Sequence, residues 1–349
     1  MAYINGLGCI SPQVTFNNDD FLNEVKEYAT DKMLCVDPDY TKFLDAGSVR
    51  RMGRLLKFGT TAGLLALQDA GVSNPGAIST ATGFGLLDLS QKFLADVIAT
   101  NEGVVSPTSF ILSTHNTVSS NIALLCGCHA HNNTFSQRGF SFESALTDAG
   151  FMLSEGKENV LVGAYDEVGQ FAHAKFKRVG ELRQEPCNSS DIFSKQNPGV
   201  IMGEGAAFFV LSKEQTKNTY GLLSGHSTLF NPADNRELSD WLLDFLAGNN
   251  LRPENVDVAL LGYSGAQKQD ALTTFVHALL YQSTVAAYKH LCGEYMTASA
   301  FAFWLAGKML KTGRVPQSVI LQDRNRKPGT VLVYNSYKRY HSLMLFRAC

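Results

Sequence analysis

The feature that most constrains the fold is a strand, a sharp turn, a helix and a second strand that follow one another over residues 133–164. Residues 133–136 have strand character, and Gly139 opens a helix whose apolar residues recur on one face. Gly156 ends that helix, and the apolar run 160–164 follows it directly. Since parallel strands need a crossover of this kind, the segment predicts a parallel pair joined by a helix.

The same alternation continues along the chain and predicts an α/β architecture in which helices cover both faces of the sheets. Strands are predicted at residues 3–6, 80–85, 199–211, 256–262, 319–321, 330–334 and 342–346, and helices at 50–70, from about 118, at 269–280 and at 295–310. Segments 139–164 and 294–321 each combine a small-residue helix, a glycine stop and an apolar strand, which is typical of an internally duplicated fold. We place the two halves at residues 1–212 and 213–349, with 213–221 as the join.

Composition excludes several classes of function. The 30 Lys and Arg nearly balance the 32 Asp and Glu, so no basic surplus indicates nucleic-acid binding. The first residues lack the pattern of a signal peptide, and the longest apolar run, 298–305, is too short for a membrane span. Seven scattered cysteines without metal-site spacing favour reduced thiols in a cytoplasmic protein. We therefore expect a cytoplasmic protein with no metal, no cofactor and no membrane or nucleic-acid partner.

Four motifs resemble the β-ketoacyl-acyl-carrier-protein synthases, the condensing enzymes of the thiolase superfamily. They are INGLGCISP at the start, RRMGRLLKFGTTAGLLALQDAG, the segment NIALLCGCHAHNNTFSQRGFSFESALTDA, and GVIMGEGAAFFVLS. The resemblance runs from the first residues to about Leu310. It implies the thiolase-like fold, with five layers in the order αβαβα and internal duplication, and dimerisation through the strand next to the nucleophile.

Chemistry in that family requires three side chains. A Cys at a strand-to-helix turn accepts the acyl chain, since a helix N-terminus favours its thiolate. Two His residues then stabilise the enolate oxygen that forms during malonyl decarboxylation. The first His lies in a His-Gly-Thr turn and the second in a Lys-x-x-x-Gly-His segment.

In this chain all three positions are altered. Counting forward from Gly127 and back from Gly156 places the nucleophile position on Gly139, which has no nucleophilic side chain. The first His position falls on Ser264 and the second on Glu294, although the family Lys is matched by Lys289. Serine is a poor proton carrier near neutral pH, and a carboxylate would repel an enolate. The glycine-rich part of the C-terminal gate is also replaced, by residues 338–340. We therefore predict that the chain does not carry out the condensation itself.

Other side chains offer substitutes for the missing groups. Cys292 lies in the altered second-His segment, and His115 lies in a polar cluster before a helix. A packing role is favoured for Cys126 and Cys128, and a capping role for the cluster around His115. Gln137 would take the nucleophile position only if the alignment slipped by one or two residues.

The preferred hypothesis is a subunit like a chain length factor. It would form a heterodimer with an active ketosynthase subunit, meet the acyl carrier protein through that complex, and shape the tunnel for the growing chain. The resemblance extends to aryl polyene and flexirubin-type pigment systems, and we expect Gln137, Arg138, Phe140 and Phe142 to lie by the tunnel and the shared interface. Two alternatives stay open: an active enzyme with relocated chemistry, such as a malonyl decarboxylase, and a homodimeric, non-catalytic acyl-binding protein.

Overall fold

The computed structural model describes residues 1–17, 21–193 and 198–349. Thirteen strands lie in these residues: β1 Ala2–Ile10, β2 Lys32–Met33, β3 Ile78–Ala81, β4 Asn132–Phe135, β5 Asn159–Asp166, β6 Met202–Gly203, β7 Gly205–Ser212, β8 Gly221–Phe230, β9 Val258–Leu261, β10 Thr284–Ala287, β11 Ile320–Gln322, β12 Thr330–Tyr337 and β13 Tyr340–Arg347. The α-helices there are α1 Ala46–Arg51, α2 Arg54–Ala70, α3 Leu87–Ala99, α4 Thr108–Leu112, α5 Thr117–Cys126, α6 Ser141–Ser154, α7 Gln170–Arg178, α8 Asn235–Gly248, α9 Gln267–Leu279, α10 Lys289–Cys292 and α11 Ala298–Thr312.

Eleven strands form one continuous sheet that contains the same arrangement twice. Its order is β11-β10-β9-β12-β13-β8-β1-β7-β5-β3-β4. In the first half β1 is antiparallel to β7, β7 is antiparallel to β5, and β5, β3 and β4 are parallel. In the second half β8, β13, β12, β9 and β10 repeat those relations. The predicted internal duplication is therefore confirmed, and a short pairing of β1 with β8 joins the two sets.

The helices and the two sets of strands pack in five layers. The central layer consists of α6 and α11, whose apolar residues pack against strands of both sets in one large cluster. On one outer side α2 and α5 cover the first set, and on the other α8 and α9 cover the second. Helix α11 is buried from Ala298 to Leu310, as expected for a helix between two sheets. The αβαβα prediction is confirmed.

Three details differ from the prediction. Strands β4 and β5 are parallel, but β3 lies between them, so they are not a directly bonded pair. The predicted helix 50–70 is two helices, because Met52 and Gly53 adopt extended backbone between α1 and α2. In the second half the strand equivalent to β5 is β12, whereas the predicted strand 319–321 overlaps the edge strand β11.

The predicted join at residues 213–221 precedes β8, a ten-residue strand that the prediction missed. The predicted loop 183–198 includes residues 194–197, which lie outside the described residues. Within the described ranges no helix is both long enough and apolar enough to span a membrane.

Candidate functional site

The turn that precedes α6 holds Gly139 at the N-terminal end of the central layer. Arg138 has a left-handed backbone (φ 54°), which is uncommon for a residue with a side chain. The Ser141 hydroxyl accepts a hydrogen bond from the Gln137 N–H (2.8 Å) and donates one to the Arg138 carbonyl (2.7 Å). The sharp strand-to-helix turn inferred from the sequence is therefore present, with a strained residue next to Gly139.

The space that a side chain at position 139 would occupy is filled by two tyrosines. A β-carbon built on Gly139 would lie 2.7 Å from Cβ of Tyr340 and 3.3 Å from Cβ of Tyr337. The Tyr340 ring packs edge-on against Phe140 and Phe230, with ring centroids 4.9 and 5.0 Å apart. Side chains from the β12–β13 hairpin thus close the position at which the resemblance places a nucleophile.

Ser264, at the first His position, lies in the turn that precedes α9. Its N–H and hydroxyl both donate to one carboxylate oxygen of Asp270, at 2.8 and 2.9 Å, and the Gly265 N–H donates to the other oxygen. The Ser264 hydroxyl also accepts from the Ala266 N–H immediately before α9. Burial raises the pKa of Asp270. These contacts organise the turn before α9, and they engage the Ser264 hydroxyl as both donor and acceptor.

Lys289 and Glu294 form a buried ion pair. The Lys289 Nζ lies 2.9 Å from Oε2 of Glu294 and donates to the Ser336 carbonyl at 2.7 Å. The two side chains are 1% and 5% exposed, so the pair is shielded from water. Burial raises the pKa of Glu294, an effect that the Lys289 ammonium opposes. Oε1 of Glu294 has no hydrogen-bond partner among the described residues.

Glu294 lines a pocket of about 500 Å³, its open mouth included. Neither Gly139 nor Ser264 lines it, although Tyr337, which lies against Gly139, does. The lining residues are Phe84, Asp166, Glu167, Phe176, Glu181, Leu182, Val200, Met202, Gln269, Glu294, Tyr295, Met296, Tyr337 and Lys338. The structure therefore brings Lys289, Glu294 and the Gly139 turn together around the β12–β13 hairpin, with Ser264 in a separate turn.

The substitute nucleophile and base lie apart from this pocket. Cys292 is fully buried, and burial raises the pKa of its thiol well above the usual range. His115 is exposed between α4 and α5, where its ring lies over Gly85 and its carbonyl accepts a hydrogen bond from Tyr165. Cys126 ends α5 and Cys128 follows it, as predicted. Neither Cys292 nor His115 lines the pocket.

The four residues expected at the tunnel and interface occupy two environments. Gln137 and Arg138 are exposed on the turn, and Phe140 is half-buried against Tyr340. Phe142 is different, because it is fully buried in the central layer, where its ring packs against those of Phe209 and Phe303. Its ring contributes to the core of the layer, while the other three lie at its surface.

Two carboxylates that support the site were not identified as such from the sequence. Glu204, in the Gly-Glu-Gly motif, accepts hydrogen bonds from the N–H groups of Cys35 and Val168 and forms an ion pair with Arg54. Asp166 accepts five hydrogen bonds, from Thr82, Gly83, Phe84 and, twice, Thr297. No local sequence pattern identifies these partners, because Thr82 and Thr297 lie 84 and 131 residues away along the chain.

No group of three or more His, Cys, Asp or Glu side chains in the described ranges is arranged to hold a metal ion.

Comparisons with known proteins agree with this geometry. Residues 31–197 match the family described as beta-ketoacyl synthase, N-terminal domain. The 3-oxoacyl-[acyl-carrier-protein] synthase 2 of Vibrio harveyi is 24% identical over 199 residues, 54% of this chain and 48% of that protein. The protein of the same name from Synechocystis sp. is 23% identical over 243 residues, 64% of this chain and 55% of that protein. The chain thus spans about half the length of the curated relatives it matches.

Solved structures match over the whole chain. The ishigamide ketosynthase/chain length factor gives a TM-score of 0.81 at 16% identity, covering 100% of this chain and 99% of that one. A structure of the ketosynthase ApeO in complex with its chain length factor ApeC, from Xenorhabdus doucetiae, gives 0.80 at 14% identity, covering 100% and 98%. The chain is therefore similar in sequence to the β-ketoacyl synthases over residues 31–197, and over its whole length it has the fold of these ketosynthase structures.

Proposed function

We propose that this chain is a non-catalytic subunit, similar to a chain length factor, that pairs with an active β-ketoacyl synthase and shapes the acyl tunnel during carrier-protein-dependent chain elongation. The observation that carries the proposal is the filled space at Gly139. A cysteine there would need its β-carbon 2.7 Å from Cβ of Tyr340, closer than unbonded carbons approach. In this arrangement the acyl thioester forms on the partner.

The ion pair between Lys289 and Glu294 supports the same role. Enolate stabilisation needs donors aimed at the developing oxyanion. Here the Lys289 ammonium is already engaged by Glu294 and by the Ser336 carbonyl. A substrate oxygen would have to displace a buried carboxylate, which is unfavourable.

The edge of the sheet supports pairing with another subunit. β4 is the outermost strand on its side, and one of its edges has no strand neighbour among the described residues. Helix α5, which packs against β4, carries the exposed Leu124 and Leu125. Helices α3 and α4, which pack against each other, carry further exposed apolar side chains: Leu94, Ile98, Phe110 and Ile111. An open edge beside apolar side chains is typical of a surface that another chain covers. The structures of related ketosynthase and chain length factor pairs make a ketosynthase the natural occupant.

The turns around Gly139 also fit an acidic carrier protein. Arg138 and Arg339 are exposed, and Lys338 lies at the pocket mouth. Complementary charge steers association more than it adds affinity. We infer that these side chains meet the carrier domain when it delivers an acyl group to the partner.

Co-expression with a ketosynthase that retains Cys, His and His, preferably one encoded next to this chain, tests the proposal. We expect a stable heterodimer that elongates an acyl-carrier substrate. Product formation should be lost when the partner's Cys is replaced by Ala and retained when Cys292 of this chain is replaced by Ala. Mass spectrometry should find the acyl adduct on the partner only.

Two results would contradict the proposal. A stable acyl adduct on this chain, formed in the absence of any partner, would favour the enzyme with relocated chemistry. Purification as a homodimer that binds no ketosynthase would favour the acyl-binding alternative.

A further inference from the structure

Two carboxyl groups that line the pocket, those of Glu294 and Glu167, have oxygen atoms without a hydrogen-bond donor in the described part of the chain. Oε1 of Glu294 is buried without a partner among the described residues, although the side chain is only 5% exposed. The side chain of Glu167 receives no hydrogen bond from the described parts of the chain. Asp166, by contrast, is satisfied by five donors. Oε1 of Glu294 is a buried acceptor without a donor, which is unfavourable, and Glu167 is a partly exposed carboxyl beside it in the same pocket, so this pocket favours a ligand that brings donors.

The balance of charge in the pocket specifies the kind of donor. Lys289 is paired with Glu294 and Lys338 with Glu181, whereas no cation in the described part of the chain forms an ion pair with Glu167. Burial, with Asp88 and Glu204 nearby, raises the pKa of Glu167 to about 7. A cation beside this group would favour its ionised form, whereas an anion would be repelled.

The walls of the pocket fit an ammonium group on a slender apolar body. Phe84, Phe176, Met202 and Met296 line it, together with Tyr337. At the mouth, the Nζ of Lys338 lies 5.4 Å from the Phe176 ring centre and 5.8 Å from that of Tyr337. In the outer part of the pocket, the ammonium group of Lys338 is thus already held by the Glu181 carboxylate and by the faces of the Phe176 and Tyr337 rings.

We propose that this pocket binds a small alkyl primary ammonium compound, with its charged end between the carboxyl groups of Glu167 and Glu294 and its alkyl chain along the aromatic and methionine walls. Entry requires the Lys338–Glu181 pair at the mouth to move aside. Both of its side chains are more than a third exposed, so the pair is weak and readily opened. The inference concerns this chain alone and does not depend on the proposed pairing with a ketosynthase.

Calorimetric titration of the purified protein, alone or in its complex, tests the inference with n-butylammonium as the probe. Two matched compounds serve as controls: 1-butanol, which has the same shape without charge, and butyrate, which has the opposite charge. We expect saturable binding of n-butylammonium at least tenfold tighter than that of 1-butanol, and none of butyrate. Equal affinity for the amine and the alcohol, or no saturable binding of the amine, would overturn the proposal.

A substitution at Glu167 tests whether n-butylammonium binds in this pocket. Glu167→Gln keeps the size and removes the charge, and should weaken n-butylammonium binding about tenfold, as expected for the loss of a charge-assisted hydrogen bond. Glu155→Gln is the control: it changes an exposed carboxyl at the C-terminal end of α6, which does not line the pocket, and should leave the affinity unchanged. Unchanged binding in Glu167→Gln would refute this site. Glu294→Gln is less suitable, because it leaves the Lys289 ammonium buried without its counter-ion and lowers stability as well. The Glu167 variant is therefore the decisive one.

Discussion

At the scale of single residues, two of the positions to which the resemblance assigns catalytic side chains lie in closely packed surroundings. Tyr340 occupies the space in which a side chain at Gly139 would lie. Glu294 is buried in an ion pair with Lys289. A cysteine at position 139 or a histidine at position 294 would therefore disturb contacts that the fold already makes.

Gly139→Ala tests the close packing at that position. Its β-carbon would contact Cβ and Cγ of Tyr340 at 2.7 and 2.8 Å, so the hairpin must shift. We expect the free energy of unfolding in urea to fall by about 1–3 kcal/mol, as for other overpacked sites. Gly150→Ala is the matched control, because it lies in the same region within α6 and its β-carbon would meet no atom within 4 Å. The free energy of unfolding of that variant should rise by about 0.5–1 kcal/mol, because alanine has a higher helix propensity than glycine. If the two substitutions change the free energy of unfolding equally, Tyr340 does not fill the space at position 139.

Glu294→Gln tests the buried ion pair. It leaves the Lys289 ammonium buried without its counter-ion, so we expect the free energy of unfolding to fall by about 3–5 kcal/mol. Adding Lys289→Met should restore part of the loss, because the unpaired charge is then removed. Asp240→Asn is the control, since it breaks an exposed pair with Arg236 and should cost no more than about 0.5 kcal/mol. If adding Lys289→Met lowers the free energy of unfolding further instead of restoring part of it, this interpretation is contradicted.

At the scale of elements, β4 presents half of its backbone hydrogen-bonding groups to an open edge. Ile78 donates to the His131 carbonyl, and Thr82 donates to that of Phe135. Since alternate residues of a parallel ladder bond to a given neighbour, the N–H groups of Asn132 and Thr134 point away from β3. They are the groups that a strand from another chain would use.

Asn132→Pro removes one of these donors while leaving the bonds to β3 in place. Proline is tolerated on an edge whose N–H faces outward, so we expect the variant to remain folded. Its affinity for the ketosynthase partner should fall about tenfold, as the loss of a buried interface hydrogen bond predicts. Asn132→Ala, which keeps the backbone donor, is the control in analytical ultracentrifugation. If the proline and alanine variants bind equally well, β4 does not pair across the interface.

The sequence predicts elements better than contacts. The unit around Gly139 follows from local periodicity, and the strand-turn-helix geometry was confirmed. The break at Met52 and Gly53 was missed, because it accompanies the ion pair of Arg54 with Glu204, 150 residues away along the chain. β8 was missed because Leu223 is its only buried apolar side chain, so its pattern resembles a surface segment.

At the scale of the whole molecule, duplication explains why the site lies between the halves. The N-terminal end of α6 and the hairpin of β12 and β13 come from different copies of the motif, and they meet at Gly139. A sequence pattern locates each segment, but it cannot show that Tyr337 and Tyr340 fill a gap some 200 residues earlier in the chain. The resemblance therefore predicts which positions to compare, and only the fold shows that Tyr337 and Tyr340 lie against one of them.

The same central region makes global stability depend on pH. His341 is buried, accepts or donates a hydrogen bond with the Tyr334 hydroxyl at 2.8 Å, and has its pKa lowered to about 4 by burial and by the Lys289 ammonium. His290 is also buried, donates from Nε2 to the Ser318 carbonyl, and has its pKa lowered to about 4 by burial. Both imidazoles therefore stay neutral in the folded chain over a pH range in which the same imidazoles of the unfolded chain take up protons.

We predict that His341→Gln flattens the pH dependence of stability between about pH 6.5 and 4. In the parent chain His341 contributes stability above pH 6.5 that is lost as the pH falls, because only the unfolded imidazole is then protonated. A pKa near 4 corresponds to a loss of about 3 kcal/mol by the acid end of that range. Burial raises the pKa of Glu143, Asp166 and Glu294, which act in the opposite sense, so the decisive quantity is the difference between variant and parent in urea unfolding. A difference between His341→Gln and the parent that stays constant with pH would show that His341 is protonated equally in both states.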